Sequence, residues 1–269
     1  MTAQLAAISV YPIKSCAGNL LETAQVEMRG LAQDRRWMLV DESGRFQTGR
    51  QSPKLLRVQA QPLGDARLRV SAPDMTAIEI ACADNASRTA ATVWGSQVSA
   101  VDAGGVAADW FSSYLGRPVR LVYADPSMHR PLDPEYSRAG DETAFADGYP
   151  LLLLSRAASD ALSSRVGREL GWRRFRPNLL VDGTSAHAED GWRRIRIGAV
   201  EFDVVKPCVR CILTTIDPDT AVADADGEPL ATLKFYRRGP KGITFGQNLI
   251  ARGVGAIRVG DRVEVLSAV

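Results

Sequence analysis

The sequence is poor in the residues that build metal and disulfide frameworks: among 269 residues there are two histidines and four cysteines, Cys16, Cys82, Cys208 and Cys211. Four scattered cysteines are too few to staple a chain of this size, and in a reducing compartment they stay thiols whose use is chemical or incidental. Also missing is an apolar run of the roughly 18 to 20 residues that a membrane helix needs. The N-terminus MTAQLAAISVYPIKS has neither the basic start nor the long apolar stretch of a signal peptide. These absences predict a cytoplasmic protein without a membrane partner. Neither sign of charge is in excess: 33 Lys and Arg face 31 Asp and Glu, for a formal net charge of +2. No global field draws the chain to nucleic acid or to an anionic surface, so an anion site must be local. A dinucleotide fingerprint is lacking too, since Gly104-Gly105 stands without the rest of the glycine pattern and reads instead as a helix entrance. No solenoid-type repeat and no low-complexity tract is present.

What the chain does have is apolar content of 45%, enough for one large core or two modest ones. In the first half, alternating apolar segments at 5–13, 36–40, 56–61, 68–71, 78–82 and 119–123 predict strands, because a period of two turns one face to a core. Gly30, Gly44, Gly64, Pro73 and Asp84-Asn85 supply turn signals between them. A helix is expected over 106–115, closed by Gly116. The polar, proline-bearing segment 125–146 reads as a loop or linker and sets an expected division into 1–124 and 125–269. Beyond it come an apolar run at 149–154, a helix capped by Ser155, and further strand-like segments at 179–182, 195–197, 200–205, 211–216 and 263–266. The expected fold class is mainly β with a few helices (α+β) and barrel-like.

The most unusual stretch is KPCVRCILTTIDPDT, from Lys206 to Thr220. Two cysteines three residues apart leave several readings open. Structural zinc wants four ligands, and only Cys16, Cys82, His129 and His187 remain, all isolated. A thioredoxin-type pair should open a helix, whereas Cys211 opens a β-branched run. Free cysteines are also commonly small buried hydrophobes. The remaining reading makes one thiolate the ligand of a metal whose other ligands come from a cofactor, with Arg210 favouring the Cys211 thiolate as an adjacent cation does.

KPCVRCILTTIDPDT, together with YPIKSC at 11–16, DRRW at 34–37 and FRPN at 175–178, resembles the molybdenum-cofactor-sulfurase C-terminal (MOSC) family. The likeness is to its two-domain type, which includes the amidoxime-reducing components and bacterial relatives, and its motifs spread over almost the whole chain. The resemblance implies a MOSC β-barrel domain preceded by an N-terminal β-barrel-like domain, and a molybdenum-pterin cofactor. Cys211 matches the molybdenum ligand and catalytic cysteine, whereas Cys208 matches a position where the family does not require one. Lys14, Ser15, Arg35, Arg176, Asn178 and Arg210 match residues that hold the pterin and its phosphate, and Asp147, Gly148 and Tyr149 fall where the family places a cofactor-contacting loop. The residue types suit that task, because a dianionic phosphate and a polar ring ask for Arg or Lys with hydroxyl and amide donors.

The activity the resemblance implies is reduction of N-hydroxylated compounds, such as hydroxylamines, amidoximes and N-hydroxylated bases, to amines or amidines. The alternative is a cofactor carrier or sulfur-transfer module. A second rival is a non-catalytic β protein that binds an acidic ligand through Lys14, Arg35 and Arg176. Four scattered cysteines cannot supply an iron–sulfur cluster while Cys211 binds metal. Electrons are therefore expected from an external donor, a reductase, ferredoxin or cytochrome-type protein.

Overall fold

The computed structural model describes residues 2–64, 66–83 and 85–269. Asp84, one half of the turn expected at 84–85, lies outside them. Strands dominate, with three α-helices among the described residues: α1 at Gly105–Leu115, α2 at Arg156–Val166 and α3 at Leu230–Tyr236. The mainly β class expected from the alternating pattern is therefore the class observed.

The largest element is a nine-stranded sheet. Its order runs Val263–Ala268, Trp192–Ile197, Val200–Val209, Gly242–Ala251, Leu151–Ser155, Leu179–Asp182, Gln4–Val10 and Asn19–Leu21, with the short Arg238–Gly239 paired off Gly242–Ala251. In Val200–Val209 the apolar Val200, Phe202 and Val204 turn inward while Glu201 and Asp203 stay partly exposed, a period of two over a one-sided core. Leu151–Ser155 is buried at every position, as suits a strand covered on both faces. It runs parallel to Leu179–Asp182, and a parallel pair needs a crossover. α2 supplies that crossover: Ser155 accepts from the Ala158 amide at 3.3 Å to start it, and Gly167 ends it with a φ of +80°. Gln4–Val10 closes against Leu179–Asp182 with Leu5 opposite Val181. Residues 4–10 and 19–21, on the N-terminal side of the expected division, thus complete a sheet built mostly from the C-terminal half.

Thr23–Glu27 pairs with Gly30–Leu31 and with Gly255–Arg258 in a three-stranded sheet, and the rest of the first half forms a four-stranded sheet of Trp37–Val40, Arg120–Tyr123, Ser96–Asp102 and Arg88–Val93 and a three-stranded one of Gln59–Pro62, Arg67–Ala72 and Met75–Ala81. Trp37, Leu55, Leu68, Val70, Trp110, Phe111 and Leu121 pack between these sheets and α1. Helix α1 ends at Gly116, whose φ of +71° any L residue would adopt at a cost.

Segment 125–146 is a loop, as expected, and it is pinned: Arg130 is buried and donates to the Ala144 and Ala146 carbonyls while Asp141 grips Arg252 at 2.7 and 2.9 Å. The structure corrects two expectations. Segment 56–61 splits: Leu55 and Leu56 lie in a 3-10 turn, Pro53–Arg57, before the strand Gln59–Pro62. Segment 211–216 is not a strand. The chain leaves the sheet after Val209, and Ile212–Thr215 form a 3-10 turn in which the Thr214 and Thr215 hydroxyls donate to the Cys211 and Ile212 carbonyls. Short hydroxyl side chains offer the backbone this local alternative to a ladder, and here it outweighs their β propensity.

Candidate functional site

Five turns converge on one open cavity of about 260 Å³. The first is the reversal at 13–16, where the Lys14 amide donates to the Trp37 carbonyl at 2.8 Å and Ser15 takes a φ of +69°. Arg35 lies at the second, with a φ of +47° and its amide on the Tyr11 carbonyl, while the Tyr11 amide donates to Asp34 Oδ1. The third ends the 3-10 turn Trp172–Phe175 at Arg176, whose φ is +55°. Pro177 explains that ending, since the residue before a proline is pushed out of the right-handed helical region. The fourth is the exit from Val200–Val209 through Arg210 and Cys211, and the fifth is the loop at Asp147–Tyr149. Ser15, Arg35 and Arg176 are thus all non-glycine residues in the left-handed region. Each such residue costs about 1–3 kcal/mol, a strain that persists where surrounding structure imposes it and that gathers at functional sites.

Every site residue singled out from the sequence lines this cavity: Lys14, Ser15, Arg35, Asp147, Gly148, Tyr149, Arg176, Asn178, Arg210 and Cys211. Arg174, Lys206 and Cys208 line it as well. Six cations therefore face one acid, Asp147, so a chain of net charge +2 concentrates positive charge at this one place. Two of the six are committed to carboxylates outside the cavity, Arg35 to Asp34 at 2.5 Å and Arg174 to Asp217 at 2.9 Å.

The positioning is dense. Asn178 Oδ1 accepts from Arg35 Nη1 at 2.8 Å and from the Leu152 amide at 3.1 Å, and its Nδ2 donates to the Ser9 carbonyl at 3.1 Å. Arg35 Nη2 donates to the Arg176 carbonyl at 3.1 Å. Both guanidinium groups lie over the Tyr11 ring, at 4.4 Å for Arg35 and 4.1 Å for Arg176. Lys14 Nζ is buried and donates to the Phe145 carbonyl at 2.7 Å and to Asp147 Oδ1 at 2.5 Å. Burial pushes the Lys14 ammonium below its ordinary value, and Asp147 works against that push. Crowding by protein would raise the Asp147 carboxyl, but the Lys14 charge and hydrogen bond hold it well below the usual carboxylate range. Burial lowers Arg176, whereas Arg35 is raised because Asp34 overcomes the burial. The Tyr149 hydroxyl is pushed up to about 12, by burial first and then by Asp133.

Cys211 is exposed and Cys208 partly buried. Arg210 does not reach Cys211 as the adjacency suggested. Its Nη1 lies 2.8 Å from Cys208 Sγ and its Nη2 donates to the Phe175 carbonyl at 2.6 Å. The reason is the strand period: residues two apart share a face, so Arg210 sits with Cys208, and Cys211 leaves on its own side. The zinc reading finds no support, because no group of three His, Cys, Asp or Glu side chains among the described residues could hold a metal. A metal at Cys211 would need its other ligands from elsewhere.

The residues present fit a phosphorylated pterin. Buried Arg176 Nη2, Arg210 Nε and Tyr149 Oη have no hydrogen-bond partner in the protein, so donors remain unused beside a cationic cavity. The sequence reading missed Arg174, Lys206 and Arg130. Arg174 stood next to a recognised motif in Phe175 to Asn178, which could have drawn attention to it. Arg130 carried no local signal, since its role is to hold the loop at Asp147 by donating to that residue's carbonyl at 2.9 Å. Elsewhere, Asp217 accepts from the Asp219 and Thr220 amides in a turn, His129 contacts Glu142 at the surface, and His187 packs between Tyr236 and Phe245. Arg194 and Arg196 pair with Asp203 and Glu264 across their sheet.

Comparison with known proteins returns two family models, the MOSC N-terminal beta barrel domain over residues 2–118 and the MOSC domain over residues 140–264. Mitochondrial amidoxime-reducing component 1 from Homo sapiens is 35% identical, covering 97% of this chain and 82% of that protein. The Mus musculus protein of the same name is 36% identical with the same coverage. Mitochondrial amidoxime reducing component 2 from Homo sapiens is 33% identical, covering 96% of this chain and 82% of its own.

Proposed function

Because the chain belongs to the MOSC family, with both the N-terminal and the MOSC domain, we propose that it is a molybdenum-pterin reductase of N-hydroxylated compounds. The net reaction joins R–NHOH, two electrons and two protons to give R–NH2 and water. Bound molybdenum-pterin would supply the two-electron chemistry, and the protein supplies position, charge and access. Relatives named as amidoxime-reducing components support the reductive class.

The observation that carries the reading is the cavity itself, where six cations and unused donors surround an exposed thiol. In this reading Lys14, Arg35, Arg176 and Arg210 hold the phosphate and ring edges of the cofactor through charge-assisted bonds. Ser15, Asn178 and the Asp147–Tyr149 loop fix their geometry, and the Cys211 thiolate is the protein's ligand to the metal. Buried Lys14 is kept in place by Asp147 and the Phe145 carbonyl rather than being free to follow solvent. Electrons come from a separate reductase, ferredoxin or cytochrome-type protein.

The test is metal analysis and hydroxylamine reduction with an artificial donor, on protein made in a host that synthesises the pterin. The expected result is near-stoichiometric molybdenum and turnover, both lost in Cys211→Ala and mostly kept in Cys208→Ala. Molybdenum retention without turnover would favour a carrier or sulfur-transfer module, and equal losses in the two variants would remove the special role of Cys211.

A further inference from the structure

The tip of the hairpin formed by Arg88–Val93 and Ser96–Asp102 carries a residue its backbone does not favour. Val93 pairs with Ser96, so the loop holds only Trp94 and Gly95, and Trp94 takes a φ of +53°. Two-residue hairpin loops place Gly, Asn or Asp at positions of positive φ, and a bulky aromatic there is a strained choice. The residue is moreover 46% exposed, so core packing does not account for the strain.

The location of the ring suggests what does. The indole Nε1–H donates at 3.1 Å to Asp147 Oδ1, the same oxygen that accepts from Lys14. Phe46 lies 5.1 Å from the indole, centroid to centroid, and the Arg50 guanidinium lies 4.8 Å over it. Among the described residues Arg50 has no carboxylate partner. Arg50 follows Gly49, which is wedged against the cavity wall: a Cβ there would come within 3.0 Å of Leu213 and 3.7 Å of Ser15. The first half of the chain therefore contributes an aromatic and cationic ledge, Phe46, Arg50 and Trp94, which is outside the cavity lining and joins it through the Trp94 hydrogen bond to Asp147, a lining residue of the same cavity as Cys211.

We infer that Trp94 is a specificity-determining residue of the substrate site: its exposed indole, backed by Arg50 and Phe46, stacks on a planar group carried beside the N–OH function. Aromatic N-hydroxy compounds are then preferred over small aliphatic ones. The inference rests on the reductive reading proposed above. Stacking on an aromatic ring changes affinity by roughly tenfold when it is made or lost, which sets the scale of the expected preference.

The experiment compares benzamidoxime with hydroxylamine on the molybdenum-loaded protein, for the native chain and for Trp94→Ala and Trp94→Phe. In Trp94→Ala the kcat/KM ratio of benzamidoxime to hydroxylamine should fall about tenfold, mainly through KM for benzamidoxime. Trp94→Phe keeps a stacking face but loses the hydrogen bond to Asp147, so it should hold that ratio within about threefold. A ratio that does not move in Trp94→Ala, or that falls equally in Trp94→Phe, overturns the inference and leaves Trp94 a support for Asp147. Titration with benzamidine is followed in parallel by indole fluorescence. Quenching present in the native chain and absent in Trp94→Phe supports the ledge, and equal quenching in both refutes it. A loaded native protein that reduces neither compound refutes the reductive reading, and the fluorescence titration still decides the role of Trp94.

Discussion

Replacing Asn178 by alanine tests whether the site is held together as described. The side chain is buried and makes three hydrogen bonds that tie the Gln4–Val10 and Leu151–Ser155 strands to the Arg35 guanidinium. Two of these are between neutral groups, each worth about 1 kcal/mol net, and the one from a charged donor is worth about 1.5–3 kcal/mol. Arg35 keeps Asp34 and the Arg176 carbonyl, so its charge is not orphaned and the lower figure applies. Asn178→Ala should therefore destabilise the chain by roughly 3–4 kcal/mol. That corresponds to a fall in Tm of roughly 6–16 °C for large single domains. Urea denaturation followed by far-UV circular dichroism gives the measurement, read as a lower midpoint at constant slope. A loss under about 1 kcal/mol in the alanine variant, less than one of the three bonds is worth, would refute the picture of Asn178 as the joint between the two strands and Arg35.

The cysteines make a second prediction. Burial pushes the Cys16 thiol up to about 12 and the Cys82 thiol up to about 11, while Cys211 is exposed and Cys208 partly so. A thiol reagent at pH 8 should label two thiols per native chain and four after denaturation, and fast labelling of Cys16 would contradict its burial. The sign of the linkage is that the unfolded Cys16 thiol ionises from about pH 9 while the folded one stays protonated until about 12. Stability is then unaffected below pH 9 and falls above it by up to about 1.4 kcal/mol per pH unit. Cys16→Ala should remove that part of the alkaline slope in urea midpoints taken between pH 8 and 10, and an unchanged slope would refute the assignment. Asp147 behaves in the opposite sense. Its carboxyl is held below the ordinary value by Lys14, so the pair supports the fold above about pH 4 and is lost as pH falls further. The stability difference between the native chain and Asp147→Asn should be flat from pH 7 to 4 and shrink only below that. A difference that stays flat below pH 4 would mean the carboxyl is not depressed.

The sequence by itself determined the class of the fold and marked part of the cavity lining. Period-two alternation identified strands such as Arg120–Tyr123 and Arg67–Ala72, and Ser155 with its following residues marked α2, because in each case the signal lies within a few adjacent residues. The lining residues expected from four short motifs all reached the cavity, because those motifs occupy turns whose backbone is set locally, by Pro177 after Arg176 or by the reversal around Ser15. Only the tertiary structure decided the rest. It showed that the first strand belongs to the sheet of the C-terminal half, that Cys211 starts a turn and not a strand, and that Arg210 contacts Cys208. It also brought Trp94 and Arg130 to Asp147 from 53 and 17 residues away. Pairing between distant segments follows from which faces meet when the core closes, and a side chain's partner follows from that meeting. Neither is written in the spacing of neighbouring residues.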